Sequence, residues 1–358
     1  MSQRFTISTL MRILLLSLLA GGSSGVLATA LTTGYLSQYA SQLGELSVPE
    51  RLSQVRPQAF PESYAQALQD AREKAQPVYA GVYLDATSRE PMGAAVALTS
   101  DGWFLSVVPT GVRPREVGVG NERFAVRRME TDSATGASFI KIDGQNLSVA
   151  AYTRTGETWE AGSQVFVFPE EGAFLATSVY GHQVGDELVR SSERPSWRFL
   201  LRDRVSDTAL GAPVFDLSSE LIGIVSKTQG DRPAVLSIEF ILPVFDVLLA
   251  TGKLERGFFG ANSVWLDRLP QTQAEALSPL RHGALLYGAR AIVKGGAAHI
   301  AGLQQGDVIV SVDGVSIDRE HSLEDILARI GIEESIAVEF ARAGAHATAN
   351  VVLKSAAP

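Results

Sequence analysis

From Val78 to Ile241 the chain is cut into short apolar or alternating runs with Gly, Asp and Ser clustered between them. The first group is Val78 to Tyr83, Ala94 to Leu98, Trp103 to Val107, Arg123 to Val126 and Ala137 to Ile142. The second is Gln164 to Phe168, Leu175 to Val179, Trp197 to Leu201, Leu221 to Val225 and Val235 to Ile241. Runs this short are too brief for stable helices, and no sustained helical period crosses the region. Many short strands separated by turn residues indicate a sandwich or barrels, and the stretch reads as two packed β-barrels in one unit.

The flanks differ. Residues 37–60 form a polar tether carrying Pro49, Pro57 and many Ser and Gln. Pro61 then opens a short helix with Tyr64, Leu68 and Ala71 on one side. After the last run, Phe245-Asp246-Val247-Leu248-Leu249 predicts a closing helix that ends at Gly252. From about Gly257 onward strands alternate with helices. Asp307 to Val312 reads as a strand, Asp313-Gly314 as a tight turn and Val315 to Ile317 as the return. Leu323, Ile326, Leu327 and Ile330 have helical spacing.

Arg4 and Arg12 precede an uncharged stretch from Ile13 to Leu36. As a helix it would extend about 36 Å, enough for a bilayer core. The charge asymmetry keeps the N-terminus in the cytoplasm and exports the rest. Two readings stay open: an uncleaved anchor, or a signal peptide cleaved after Ala28-Thr29-Ala30. The apolar run continues past that site, which favours the anchor, with the lipid bilayer as a partner through residues 13–36. The chain has no cysteine, so disulfides and thiolate metal sites are excluded. Histidines at ligand spacing are also lacking, so no metal or other cofactor is expected. A net charge of -8 and no basic run argue against nucleic acid.

In this order the segments resemble the HtrA family. Three stretches carry the resemblance: Gly93 to Leu105, Ile241 to Gly257, and Ala301-Gly302-Leu303-Gln304-Gln305-Gly306-Asp307-Val308-Ile309. The resemblance implies a mainly β chain: an N-terminal membrane helix, a trypsin-like double β-barrel and an α+β PDZ domain. The expected boundaries are 1–36 for the anchor or signal, 37–75 for tether and helix, 76–255 for the barrels and 256–358 for the PDZ domain. HtrA proteins are commonly trimers, so the resemblance also implies a homotrimer, or assembly with an active relative, through the helix near Tyr64 to Ala71.

A serine protease needs a nucleophile, a base, an acid to orient the base, and amides for the oxyanion. By the resemblance the base belongs after Trp103-Phe104-Leu105-Ser106, and Pro109 stands there. The acid belongs in Thr135 to Ile142, and Gly136 stands there. The nucleophile belongs in Thr208-Ala209-Leu210-Gly211-Ala212-Pro213, where Leu210 takes its place and Thr208 alters the oxyanion loop. One check needs no alignment. The five histidines are His182, His282, His299, His321 and His346, so the first barrel has none. His182 reads as a surface turn residue.

The PDZ region keeps what peptide capture requires. Such domains add a peptide C-terminus as a strand beside a sheet edge and hold its carboxylate on backbone amides. By the resemblance the capture loop follows Arg256-Gly257. Phe259, Gly260 and Ala261 would supply the amides and Phe258 would line the pocket. The helix from Ser322 would form the other wall through Leu323, Ile326 and Leu327. The expected function is therefore a catalytically inactive, envelope-facing pseudoprotease. It would bind peptide or protein C-termini as an adaptor, regulator or chaperone-like module, at the inner membrane with its body in the periplasm, or free in the periplasm after signal cleavage. The alternative is an HtrA-type serine endopeptidase with a displaced catalytic set, acting in envelope protein quality control.

Overall fold

A computed structural model describes residues 63–152, 159–228, 230 and 232–355. The stretch 13–36, the tether 37–60 and Pro61 lie outside the described residues. Among the described residues no helix is long and apolar enough to cross a membrane.

The first barrel closes in the order β1-β2-β3-β6-β5-β4. Its strands are β1 (Tyr79–Tyr83), β2 (Gly93–Ala97), β3 (Trp103–Val107), β4 (Glu116–Val119), β5 (Glu122–Thr131) and β6 (Ala137–Ile142). The second barrel uses β7 (Gln164–Val167), β8 (Leu175–Gln183), β10 (Arg198–Leu201), β11 (Pro213–Phe215), β12 (Leu221–Lys227) and β13 (Ala234–Ser237). It closes in the order β10-β13-β12-β11-β7-β8. Strand β9 (Val189–Ser191) arises inside this barrel's sequence but leaves it.

Strands β2, β3 and β6 are buried almost throughout rather than alternately. A barrel strand is buried on both faces only where something covers its outside. Helix α1 (Tyr64–Ala75) is one neighbour of the barrels. Ser63 caps it by accepting from the Gln66 amide, and Ala67, Ala71 and Ala75 are its buried residues. The buried face is therefore an i, i+4 alanine stripe, which permits close approach. It overlaps the Tyr64–Leu68–Ala71 side read from sequence, for Ala71 is buried and Leu68 packs against the core. Tyr64 stays half exposed, its ring 6.3 Å from that of Phe166. Helix α2 (Leu242–Thr251) covers β3 and β6: Phe245 stacks on Phe139 at 5.3 Å and meets Trp103 edge-on at 6.4 Å. Gly252 ends it in the left-handed conformation, its amide donating to the Leu248 carbonyl.

The third unit contains β14 (Gly257–Phe258), β15 (Asn262–Trp265), α3 (Gln271–Leu277), β16 (Ala284–Leu286), α4 (Ala297–Ile300), β17 (Val308–Val312), β18 (Val315–Ser316), α5 (Leu323–Ala328), β19 (Ser335–Arg342), β20 (Ala345–Val352) and β21 (Lys354–Ser355). Its main sheet runs β20-β19-β17-β16-β15-β9, so the last strand comes from the second barrel's sequence. Buried ion pairs also tie this unit to the barrels. Arg256 grips Asp132 with Nε 3.0 Å from both carboxylate oxygens and Nη2 2.7 Å from Oδ2. Arg329 Nη2 meets Glu239 Oε1 at 3.0 Å.

Candidate functional site: the barrel junction and the occupied groove

Strands β3 and β6 pair antiparallel with Val107 opposite Ala137. Pro109, just beyond β3, and Gly136, just before β6, therefore sit at the same end of that ladder. The Leu210–Gly211 corner of the second barrel docks onto the same place. The Leu210 carbonyl accepts from the Ala94 amide at 2.7 Å. Gly211 has φ +83, and a Cβ there would lie 2.2 Å from the Ala94 carbonyl oxygen, 2.6 Å from Ser106 Oγ and 2.9 Å from the Val107 nitrogen. Only glycine fits that approach. The three positions expected to hold base, acid and nucleophile thus converge where the barrels meet.

The polar groups nearby are engaged in structural contacts. Ser106 is fully buried and donates to the Ala94 carbonyl at 2.6 Å. Ser138 lies 3.1 Å from the Thr131 hydroxyl and accepts from the Val108 amide. Lys141, on the same strand, turns instead to Asp101 at 2.6 Å. Ser206 is 2.9 Å from the Thr208 hydroxyl. His182 lies in β8, stacked on Trp197 at 4.3 Å with Nε2 at the Trp159 carbonyl oxygen. His282 meets Asp267 and His321 meets Asp318, both in the third unit. Among the described residues no group of three or more His, Cys, Asp or Glu gathers as a metal site.

The capture loop has the expected residues and an unexpected occupant. Phe259 and Ala261 are buried, and Gly260 is left-handed at φ +78. A Cβ on Gly260 would lie 3.0 Å from the Phe258 ring, so that half-buried ring packs over the loop. The sequence reading leaves these amides to a ligand. In the structure the Gly260 amide donates to Glu193 Oε1 at 2.8 Å, and the Ala261 amide donates to Ser192 Oγ at 3.0 Å. Strand β9 runs antiparallel to β15 with Ser191 opposite Asn262, Arg190 opposite Ser263 and Val189 opposite Val264. A segment of the second barrel's sequence thus fills the sheet edge beside α5.

Helix α5 closes the other side. Leu323 and Ile326 are core residues. Leu327 lines a small cavity with Ser192, Glu193 and Phe259. The contacts to the inserted segment come from two acidic residues that the sequence reading passed over. Glu324 Oε1 accepts from Arg190 Nη1 at 2.7 Å, and Asp325 Oδ1 accepts from the Ser196 amide at 3.0 Å and the Trp197 amide at 3.2 Å. Arg190 is 7% exposed and Glu324 2%. The remaining Arg190 hydrogen bonds go to Ser196 Oγ and the Gly185 and Glu187 carbonyls, and its guanidinium lies 5.4 Å from the Trp265 ring centre. Burial pushes both carboxyls above their usual range, and the neighbouring Asp325 charge adds to this at Glu324, where Arg190 pulls the other way.

A PDZ domain family model matches residues 288–342. A "Probable periplasmic serine endoprotease DegP-like" of Marinomonas sp. (strain MWYL1) is 24% identical over 75% of this chain and 58% of its own length. "Serine protease Do-like HtrA" of Bacillus subtilis (strain 168) is 30% identical over 40% of this chain and 34% of its own length. The chain therefore spans a little more than half the length of the first of these relatives and about a third of the second. Among solved structures, "HtrA-type protease AlgW with decapeptide" superposes over 83% of this chain and 99% of its own with a TM-score of 0.58 at 16% identity. A serine endoprotease from Yersinia pestis gives a TM-score of 0.51 over 83% of this chain at 18% identity. In sequence the chain is a relative of the HtrA-type proteases, and it shares their fold of a trypsin-like double barrel joined to a PDZ domain.

Proposed function

We propose that this chain is a non-hydrolytic HtrA-like protein that binds peptide or protein C-termini through its PDZ groove. The observation that carries the reading is the convergence of Pro109, Gly136 and the Leu210–Gly211 corner at one end of β3. Proline, glycine and leucine supply neither a proton acceptor nor a nucleophile. With no histidine before His182, the first barrel has no base to offer. On the PDZ side the reading rests on the left-handed Gly260 and on its amide, which is directed at a carboxylate, that of Glu193. A carboxylate with a strand edge beneath it is the chemistry of C-terminal capture.

The second reading, a serine endopeptidase with a displaced catalytic set, is favoured by the names of the relatives, which are serine proteases. A fluorophosphonate serine probe and a casein assay on the full chain separate the two. The proposal expects no labelled serine and no cleavage. Labelling and cleavage that both vanish on one serine substitution would establish the endopeptidase instead. The triple substitution Pro109→His, Gly136→Asp, Leu210→Ser restores little activity on this account, because Thr208 still alters the oxyanion loop. For location the proposal is a body in the periplasm held by residues 13–36. Protease digestion of intact spheroplasts should remove the barrels and leave the N-terminus protected.

A further inference from the structure

Segment 189–193 makes the interactions that a bound peptide would make. It adds an antiparallel strand to β15, it directs a carboxylate at the Gly260 amide, and it buries a side chain against α5. Peptide ligands that add a strand use main-chain pairing for affinity and side-chain pockets for choice. Here the pocket holds an arginine between the buried Glu324 and the Trp265 ring. A buried carboxylate left without its cation is costly. Whatever replaces the segment must therefore bring a positive charge to the same place.

We propose that residues 189–193 are an internal ligand that closes the PDZ groove, and that the C-termini able to displace it carry a basic residue third from the end. This rests on the peptide-binding reading above and specifies its regulation and ligand class. The position follows from the register: Ser192 and Glu193 occupy the amides, and Arg190 stands two residues before Ser192. A terminal carboxylate at Ser192 would replace the contact that Glu193 now makes through its side chain. The segment is continuous with β8 and β10 of the second barrel, so its displacement would be felt there.

The test uses the full chain and the peptide Asp-Glu-Leu-Val-Arg-Ser-Ser with a free C-terminus, which copies residues 186–192. Glu193→Ala removes the competing carboxylate and should tighten binding at least about tenfold by fluorescence polarisation. Replacing the peptide's arginine by alanine should weaken binding by about tenfold or more. In the unmodified chain, saturating peptide should speed hydrogen exchange at residues 189–193, a readout that needs no variant. Equal binding to both chains with exchange at 189–193 unchanged would overturn the internal ligand and leave C-terminal binding standing. An alanine peptide that binds as tightly would overturn the basic requirement. Binding to neither chain, with this peptide or with random C-termini, would overturn the peptide-binding reading and the internal ligand with it.

Discussion

The Arg256–Asp132 pair should hold the PDZ domain to the first barrel. Arg256 makes three hydrogen bonds to the carboxylate and donates to the Phe240 carbonyl as well. The side chains are 17% and 6% exposed, so water screens the pair little. Removing one partner of a buried pair costs about 3–5 kcal/mol, because the other is left uncompensated. Asp132→Ala and Arg256→Ala should each lose about 3 kcal/mol, or about 6–12 °C in the unfolding midpoint. The double variant should lose distinctly less than the two singles together, since the second removal no longer strands a charge. Burial alone would push the Asp132 carboxyl up. The hydrogen bonds and charge of Arg256, with Thr135 and the Ala134 amide, outweigh it and hold the group below its ordinary 3.8. The folded state therefore binds fewer protons than the unfolded state between the two values. The pair's contribution is present above about pH 4 and is lost as pH falls through the depressed folded value. Urea unfolding of the four proteins across that range checks both points. Additive losses below about 1 kcal/mol each would refute the argument.

Other substitutions test the junction and the capture loop. Gly211→Ala forces a Cβ to 2.2 Å from the Ala94 carbonyl in a left-handed backbone; thermal unfolding should show a loss of more than about 3 kcal/mol or no folded protein. Phe259→Ala empties a fully buried site under the capture loop and should cost about 3–5 kcal/mol in denaturant unfolding. Tyr64→Ala, at a half-exposed ring on α1, should change stability by less than about 1 kcal/mol in the same assay.

The barrels were legible because their runs are short, apolar and bounded by turn residues. The readings at Trp103 to Val107 and Ala137 to Ile142 coincide with β3 and β6. Three strands gave no such signal. Strand β4 carries Glu116 and Gly118, β11 is only Pro213–Phe215, and β9 is Val189–Ser191. Their pairing comes from neighbours supplied by the fold, not from local pattern. On α1 the reading found Leu68 and Ala71 but not Ala67 and Ala75, because alanine contributes little to hydrophobic periodicity, yet it packs closest. The capture loop announced itself through Gly260 between apolar neighbours. Its occupant did not, because Arg190, Ser192 and Glu193 read as an ordinary polar loop until β9 is laid beside β15.

The most direct measurement is the fate of a bound peptide. The full chain is incubated with a fluorescein-labelled library of random C-terminal peptides, bound species are separated, and their masses are read over time. The account predicts saturable binding lost when the peptide C-terminus is amidated, with every recovered peptide intact. Peptides recovered as fragments, with cleavage abolished by substituting one serine of this chain, would contradict it.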